Sequence, residues 1–322
     1  MIYSRIAGTG RYLPERVLTN AELEKRVDTS DEWIRSRTGI ERRHIAADDE
    51  TTTDLAERAA RHAIAAAAIS AADIDLIVVG TTTPDLVFPN VGALLQERLG
   101  IRGCPAFSLE AACSGFIYAL GVADKFVRAG DARCALVIGA ETLSRITDWN
   151  DRNTCVLFGD GAGAVILQPA AEPGIISTHL HADGSYKDLL ACNAGVSRNH
   201  RLMADRQLKI LMKGSEVFKV AVTTLGNVVD ETLERNHLDR KAIDWLVPHQ
   251  ANLRIIQAMA RRLDLSMERV VVTVQDHGNT SAASIPLALD TAIRDGRIKR
   301  GDLMLLETFG GGFTWGSALV RY

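Results

Sequence analysis

The chain lacks the long apolar run that a membrane helix needs, for nowhere do about 18 uninterrupted apolar residues occur. The stretch 1–14 alternates Ile, Gly, Arg and Tyr, with no charged head before an apolar block, so no secretory signal is expected. A cytoplasmic protein that neither spans nor lies on a membrane is the expectation. It also lacks an excess of positive charge. A net charge of −3 is against a nucleic-acid-binding protein, which presents a basic face. Cysteine is scarce, standing only at 104, 113, 134, 155 and 192. An odd number with no C-x-x-C pair excludes a disulfide framework and a cysteine zinc site, and predicts reduced thiols. No metal is expected either: His179 and His181 share one strand face, but no third ligand follows at useful spacing.

What is present is a chain of 322 residues, enough for a large core and for two domains. Short apolar strands at 76–80, 106–109, 135–139, 245–247, 270–274 and 303–306 alternate with amphipathic stretches at 51–68, 90–99, 215–236, 252–263 and 281–295. That alternation predicts an α/β protein of βαβ units around a mostly parallel, buried sheet. Pro169-Ala170-Ala171-Glu172-Pro173-Gly174 is the clearest break, dividing the chain into halves 1–172 and 173–322. The polar stretch 183–213 has weak periodicity and is long for a passive connection, which makes it a loop over a site or a disordered segment.

Cys113 stands where strand 106–109 runs out through Glu110-Ala111-Ala112 and a helix begins. Unpaired N–H groups and the positive end of a helix dipole there favour thiolate, the reactive form. The competing reading is a buried cysteine that fills space. An internal repeat supports the first. Val137-Ile138-Gly139-Ala140-Glu141-Thr142 is answered by Leu303-Met304-Leu305-Leu306-Glu307-Thr308 at an offset of 166 (307 − 141). The same offset carries Cys113 to Asn279, again at a strand-to-helix turn. Two such halves about a pseudo-twofold axis bring those ends into one crevice. His249, in Val247-Pro248-His249-Gln250, also projects from a strand end; His277 is a weaker candidate. A thiol, an imidazole and a carboxamide make a nucleophile plus two hydrogen-bond donors, and asparagine, neither acid nor base, holds an oxygen. Gly310-Gly311-Gly312 fits a backbone oxyanion hole or only a tight bend. Gly159-Asp160-Gly161-Ala162-Gly163 runs into a strand instead of opening a helix, so no dinucleotide site is expected.

Ala111-Ala112-Cys113-Ser114-Gly115-Phe116, Pro248-His249-Gln250-Ala251-Asn252-Leu253-Arg254, His277-Gly278-Asn279-Thr280-Ser281-Ala282 and Gly310-Gly311-Gly312-Phe313-Thr314-Trp315-Gly316 together resemble β-ketoacyl-acyl-carrier-protein synthase III, the initiating condensing enzyme of bacterial type II fatty-acid synthesis. The resemblance implies a thiolase-like fold, two pseudo-symmetric halves in five layers αβαβα, as a homodimer. It implies decarboxylative condensation of a short acyl-CoA with malonyl-acyl-carrier protein, through an acyl group on Cys113. The backbone N–H groups of Cys113 and Gly311 would hold the oxyanion, His249 and Asn279 the enolate, and no cofactor or metal would be needed.

By the same resemblance Trp33 and Arg152 would sandwich the CoA adenine, with Arg37 near the phosphates and Asn252 near the pantetheine. Phe88 would close the acyl pocket of the partner subunit, favouring a primer such as acetyl. Arg254 and Arg261, seven residues apart, lie on one face of the 252–263 helix, and with Arg262, Lys219 and Gln250 they would meet the acidic carrier protein. Cys-His-Asn is shared with plant-type polyketide synthases, so a polyketide or secondary-metabolite condensing enzyme is the nearest alternative. A cysteine thioesterase and a catalytically dead, chain-length-setting subunit are the others.

Overall fold

The computed structural model describes residues 2–205 and 207–322. The chain begins with β1 (Tyr3–Tyr12), β2 (Arg16–Thr19), α1 (Asn20–Leu23), α2 (Asp31–Thr38), β3 (Arg42–Ile45), α3 (Thr52–Ala66), β4 (Leu76–Gly80) and α4 (Val91–Arg98). Next come β5 (Ala106–Leu109), α5 (Gly115–Ala129), β6 (Ala135–Thr142) and β7 (Asp160–Ala170). The remainder is β8 (Ile175–Ala182), β9 (Leu190–Cys192), α6 (His200–Ala204), β10 (Ile210–Met212), α7 (Gly214–Arg235), β11 (Trp245–Pro248), α8 (Leu253–Arg262), α9 (Val274–His277), α10 (Ser284–Arg294), β12 (Leu303–Gly310) and β13 (Thr314–Arg321).

Two sheets carry the fold, ordered β1-β7-β6-β4-β5 and β11-β12-β13-β8. Between them lie α5 and α10, whose Phe116, Leu120, Ile285 and Leu289 share one buried cluster with strands of both sheets. Helices α3 and α4 cover the outer face of the first sheet, and α7 and α8 that of the second. The result is the five-layered αβαβα, thiolase-like fold. Local signals set the boundaries: Thr51 and Asp54 form a capping box on α3, and Gly39, at φ 79°, ends α2 in the left-handed region. Every residue of β4 is buried, as a strand sandwiched between helices requires.

Four expectations need correction. The sheets are mixed: β4 runs parallel to β5 and β6, and β11 to β12, but β7, β1, β13 and β8 are antiparallel to their neighbours. No crossover helix separates β6 from β7 or β12 from β13, and a strand that returns without one runs antiparallel. Residues 270–274 make only the single bridge of Val270 to Leu246, because the amides of Thr273 and Val274 donate to the Gln250 side chain. The stretch 183–213 contains the β9–β10 hairpin and α6. The repeat also slips at the turn ahead of its helix. Ala112 (φ 46°) and Ser281 (φ 49°) are the matching left-handed residues, an offset of 169 (281 − 112), so Ala282, not Asn279, is the structural counterpart of Cys113. The second helix is shorter, 11 residues against 15, and the offset of 166 returns at β12.

The middle layer is fitted to the sheets through glycine. A Cβ on Gly139 would stand 2.1 Å from the Ala282 carbonyl oxygen, one on Gly80 2.4 Å from the Gly115 carbonyl carbon, and one on Gly310 2.7 Å from the Cys113 nitrogen. These are backbone atoms of the turns that carry the candidate site. Gly139→Ala is expected to lower stability by about 1–3 kcal/mol in denaturant unfolding. Gly195→Ala, with open space around it, is expected to stay within about 0.5 kcal/mol.

Candidate active site

Cys113 sits in a 3-10 turn, Ala112–Ser114, between β5 and α5. The end of the second sheet pins that turn. Thr308 Oγ1 donates to the Cys113 carbonyl at 2.9 Å, Thr314 Oγ1 to that of Ala111 at 2.8 Å, and Ser114 Oγ to that of Thr314 at 3.0 Å. The sulfur is buried, and burial pushes the thiol up to about 12, with the carboxyls of Glu141 and Glu110 adding to the rise. The Ser281 hydroxyl and the cysteine's own N–H act against the rise. The resting group is therefore a thiol. The thiolate expected from the helix terminus is not the resting state, because desolvation outweighs the helix end here.

His249 follows β11, its N–H donating to the Glu307 carbonyl at 2.8 Å. Burial holds the imidazole down to about 3, so it is neutral. Its Nδ1 lies 2.5 Å from Ser284 Oγ, which also receives the Gln250 N–H at 3.4 Å. In the tautomer whose Nδ1 accepts the Ser284 hydroxyl proton, the ring proton is on Nε2, where it can be donated. Asn279 is fixed by backbone bonds to Leu157 at 2.8 Å and from Gly159 at 3.0 Å. Its Oδ1 accepts the Ser281 N–H at 2.9 Å, which leaves Nδ2 to donate. Cys113, His249 and Asn279 line one cavity of about 810 Å³. The same walls carry Glu307 and Phe309 of β12, Leu225 of α7, and Leu190 and Met212 of the β9–β10 hairpin. A Cβ on Gly311 would lie 3.1 Å from the Leu190 carbonyl oxygen and 3.6 Å from Ala112 Cβ, so the glycine turn reaches the cysteine turn.

Toward the cavity mouth lie Trp33, Arg37, Lys219, Asn252 and Arg254. The Arg152 guanidinium stacks on Trp33, 4.6 Å from its centroid, so the two flat groups face each other. Asn252 caps α8, its Oδ1 accepting from Arg254 N at 2.9 Å and its Nδ2 donating to the Arg37 carbonyl at 3.1 Å. Phe88 stands away from this cavity, 82% exposed beside the exposed Leu86 and Val87.

Gln250 is the misplaced candidate. It is 0% exposed, and its amide bonds the carbonyls of Pro248 and Val271 and the N–H groups of Thr273 and Val274. It holds the loop after β11 together and meets no carrier protein. Arg254, Arg261 and Arg262 are all exposed, and Arg262 is also paired with Asp230. His179 and His181 both turn to Glu231, and among the described residues no group of three or more His, Cys, Asp or Glu could hold a metal ion. His277 is buried outside the cavity lining.

Ser281, Ser284, Glu141 and Glu307 went unrecognised as site residues. The two glutamates marked the repeat, a buried acid at one strand position in both copies, and that was the available signal.

The comparisons agree with this geometry. Residues 107–184 match the family described as 3-Oxoacyl-[acyl-carrier-protein (ACP)] synthase III, and residues 233–322 its C-terminal part. The chain is 65% identical over 322 residues, all of both chains, to a β-ketoacyl-[acyl-carrier-protein] synthase III of Thioalkalivibrio sulfidiphilus. Its structure resembles that of 3-oxoacyl-[acyl-carrier-protein] synthase III from Aquifex aeolicus, with TM-score 0.93 and 49% identity, covering 99% of this chain and 100% of that one. It also resembles the priming β-ketosynthase of the R1128 polyketide pathway, with TM-score 0.93 and 36% identity, covering 99% and 96%. A buried thiol, a neutral imidazole and a carboxamide in one cavity of a five-layered fold, with full-length identity of this order, place the chain in the 3-oxoacyl-[acyl-carrier-protein] synthase III family.

Proposed function

We propose that the chain condenses a short acyl-CoA, acetyl-CoA first, with malonyl-acyl-carrier protein to give a β-ketoacyl-carrier protein, CoA and carbon dioxide, initiating fatty-acid synthesis. The observation that carries this reading is the convergence of Cys113, His249 and Asn279 on one cavity, where burial pushes the thiol up to about 12 and the imidazole down to about 3. Cys113 Sγ attacks the thioester carbonyl, and the N–H groups of Cys113 and Gly311 hold the tetrahedral oxyanion until the CoA sulfur leaves. Malonyl-carrier protein then enters. Decarboxylation needs no base, since the electron pair of the breaking C–C bond becomes the enolate. It needs donors at the thioester oxygen, which His249 Nε2 and Asn279 Nδ2 supply. The carbanion attacks the acyl carbon, and Cys113 sulfur departs.

A hydrolase is disfavoured by the same numbers. It must activate water, and an imidazole held at about 3 is a poor base at neutral pH. Retention of all three groups speaks against a dead partner subunit. The polyketide alternative rests on 36% identity to a priming ketosynthase, against 65% to a fatty-acid relative.

Trp33 and Arg152 separate to take the adenine between them, Arg37 meets the phosphates, and Asn252 guides the pantetheine. Phe88 closes the partner's acyl pocket in a homodimer; its exposure in a single chain supports this. Lys219, Arg254 and Arg261 receive the carrier protein. The halves are 1–172, carrying Cys113, and 173–322, carrying His249 and Asn279. Among the described residues no helix is long and apolar enough to cross a membrane, in keeping with work in the cytoplasm.

His249→Ala and Asn279→Ala are expected to accept an acetyl group from acetyl-CoA yet lose malonyl-dependent carbon dioxide release by about 10²-fold or more. Release from both at the parent rate would refute the enolate role. Lys219→Glu with Arg254→Glu should raise the KM for malonyl-carrier protein on the order of tenfold at low salt. High salt should erase most of that difference; a KM indifferent to the reversal would remove these residues from the docking face.

A further inference from the structure

One buried acid in the cavity wall has no part in the chemistry above and is left without a bond of its own. Glu307 stands on β12 between Leu305 and Phe309, and those two belong to the apolar cluster that the strand shares with α7. Side chains two apart point to one face of a strand, so Glu307 enters that apolar face. There it lines the cavity together with Pro248, Leu225 and Phe309. It is 1% exposed, and neither of its carboxyl oxygens has a hydrogen-bond partner among the described residues. Its backbone belongs to the site: the carbonyl accepts the His249 N–H at 2.8 Å, and the next residue, Thr308, holds the Cys113 carbonyl at 2.9 Å. The polar group facing it across the sheet is already engaged. Ser317 is its partner on β13, but Ser317 Oγ lies 2.6 Å from Thr232 Oγ1, whose own proton goes to the Val228 carbonyl, so the serine donates there. The repeat shows that an acid at this strand position can be satisfied. Glu141, the counterpart at the offset of 166 (307 − 141), receives Thr82 N at 3.1 Å, Thr83 Oγ1 at 2.6 Å and Ser281 Oγ at 3.1 Å. A buried carboxyl without partners costs free energy; one that faces a cavity is completed by what enters it.

We propose that Glu307 is the subsite for the malonyl carboxylate, its carboxylic acid O–H donating to the substrate's anion in the cavity shared with Cys113 and His249. The inference rests on the condensing reaction proposed above. Burial without a partner leaves an acid uncharged, and burial alone pushes Glu307 up to about 8. One proton shared between an acid and a carboxylate binds the anion where no cation stands, for Arg37, Lys219 and Arg254 lie toward the cavity mouth. A cation at the malonyl carboxylate would stabilise a charge that the departing carbon dioxide no longer carries, and so would raise the barrier. A neutral donor orients the group with a lighter hold. Glu307 keeps its proton throughout: the C–C bond breaks, its electron pair passes into the enolate, and carbon dioxide leaves the acid behind. An acetyl group has no carboxylate, so the first half-reaction makes no use of the subsite. The other titratable groups in the cavity lining are Cys113, ahead of α5, and His249, after β11. On α7, Asp230 and Glu231 are engaged by Arg262 and His181, and on β13 Arg321 pairs with Leu303 at the far end of the strand.

The test follows carbon dioxide release from malonyl-carrier protein by acetyl-loaded enzyme, from mildly acid to alkaline pH, with acetyl transfer from acetyl-CoA measured separately at each pH. In the parent the KM for malonyl-carrier protein should stay level up to about pH 8 and climb about tenfold per pH unit beyond it, because ionised Glu307 repels the substrate's carboxylate. Glu307→Gln keeps a donor and cannot ionise, so its KM should stay level throughout and fall below the parent's at the alkaline end. Glu307→Leu removes the donor and should raise the KM about tenfold or more at neutral pH. In both variants the change should fall on the malonyl step and not on acetyl transfer. A level parent profile, or a Gln variant that climbs as the parent does, overturns the subsite. So does a Leu variant in which both steps slow equally, the result that a structural role or a contact with the pantetheine would give. Should the Leu variant fail to fold, the parent and Gln profiles decide. A parent that takes the acetyl group and releases carbon dioxide with a KM indifferent to pH sinks the subsite alone; a parent that does neither sinks the condensing reading, and the subsite with it.

Discussion

The contact on which the rest depends is that between the two helix-opening turns, Ala112–Ser114 and Ser281–Ala283, at the middle of the five layers. Each begins with a left-handed residue and lies on a strand whose glycine has no room for a Cβ. The approach is close enough that Cβ of Ala282 would sit 3.2 Å from a Cβ on Gly115. Because packed interiors tolerate little change in volume, the turns have one arrangement. That arrangement puts Cys113, Ser281 and Asn279 side by side. His249 is added from the end of β11, fixed by Ser284 at the first turn of α10.

Burial then sets the chemistry. Cys113, His249, Glu141 and Glu307 are buried, and burial pushes each toward its neutral form: the thiol and carboxyls up, the imidazole down. A neutral imidazole is a hydrogen-bond donor that repels no cation and attracts no proton. It suits a site that must stabilise an enolate for the short time before carbon–carbon bond formation. The cost is a nucleophile that burial holds toward its thiol form.

Much of this was legible in the sequence, and the failures have physical causes. The alternation of apolar strands and helices, the two halves, and the three strand-end residues followed from periodicity and from the repeat. The direction of β7 and β13 did not, because residue patterns record burial and not the connection that turns a strand round. Asn279 was reached by an offset that the turn breaks by three residues; both positions nevertheless face the crevice, so the residue was found for an inexact reason. Gln250 was misassigned because the sequence does not show which polar side chains are buried, and only the fold shows the amides of Thr273 and Val274 waiting for it. The ionisation of Cys113 was misjudged because a helix end is visible in sequence whereas desolvation is not.

The central claim is that Cys113 carries the acyl group. Intact-mass measurement after incubation with acetyl-CoA alone tests it most directly: the account predicts one acetyl adduct on the parent protein, mapped to Cys113 and missing from Cys113→Ala. No adduct on the folded parent, or an adduct that survives the substitution, would contradict it.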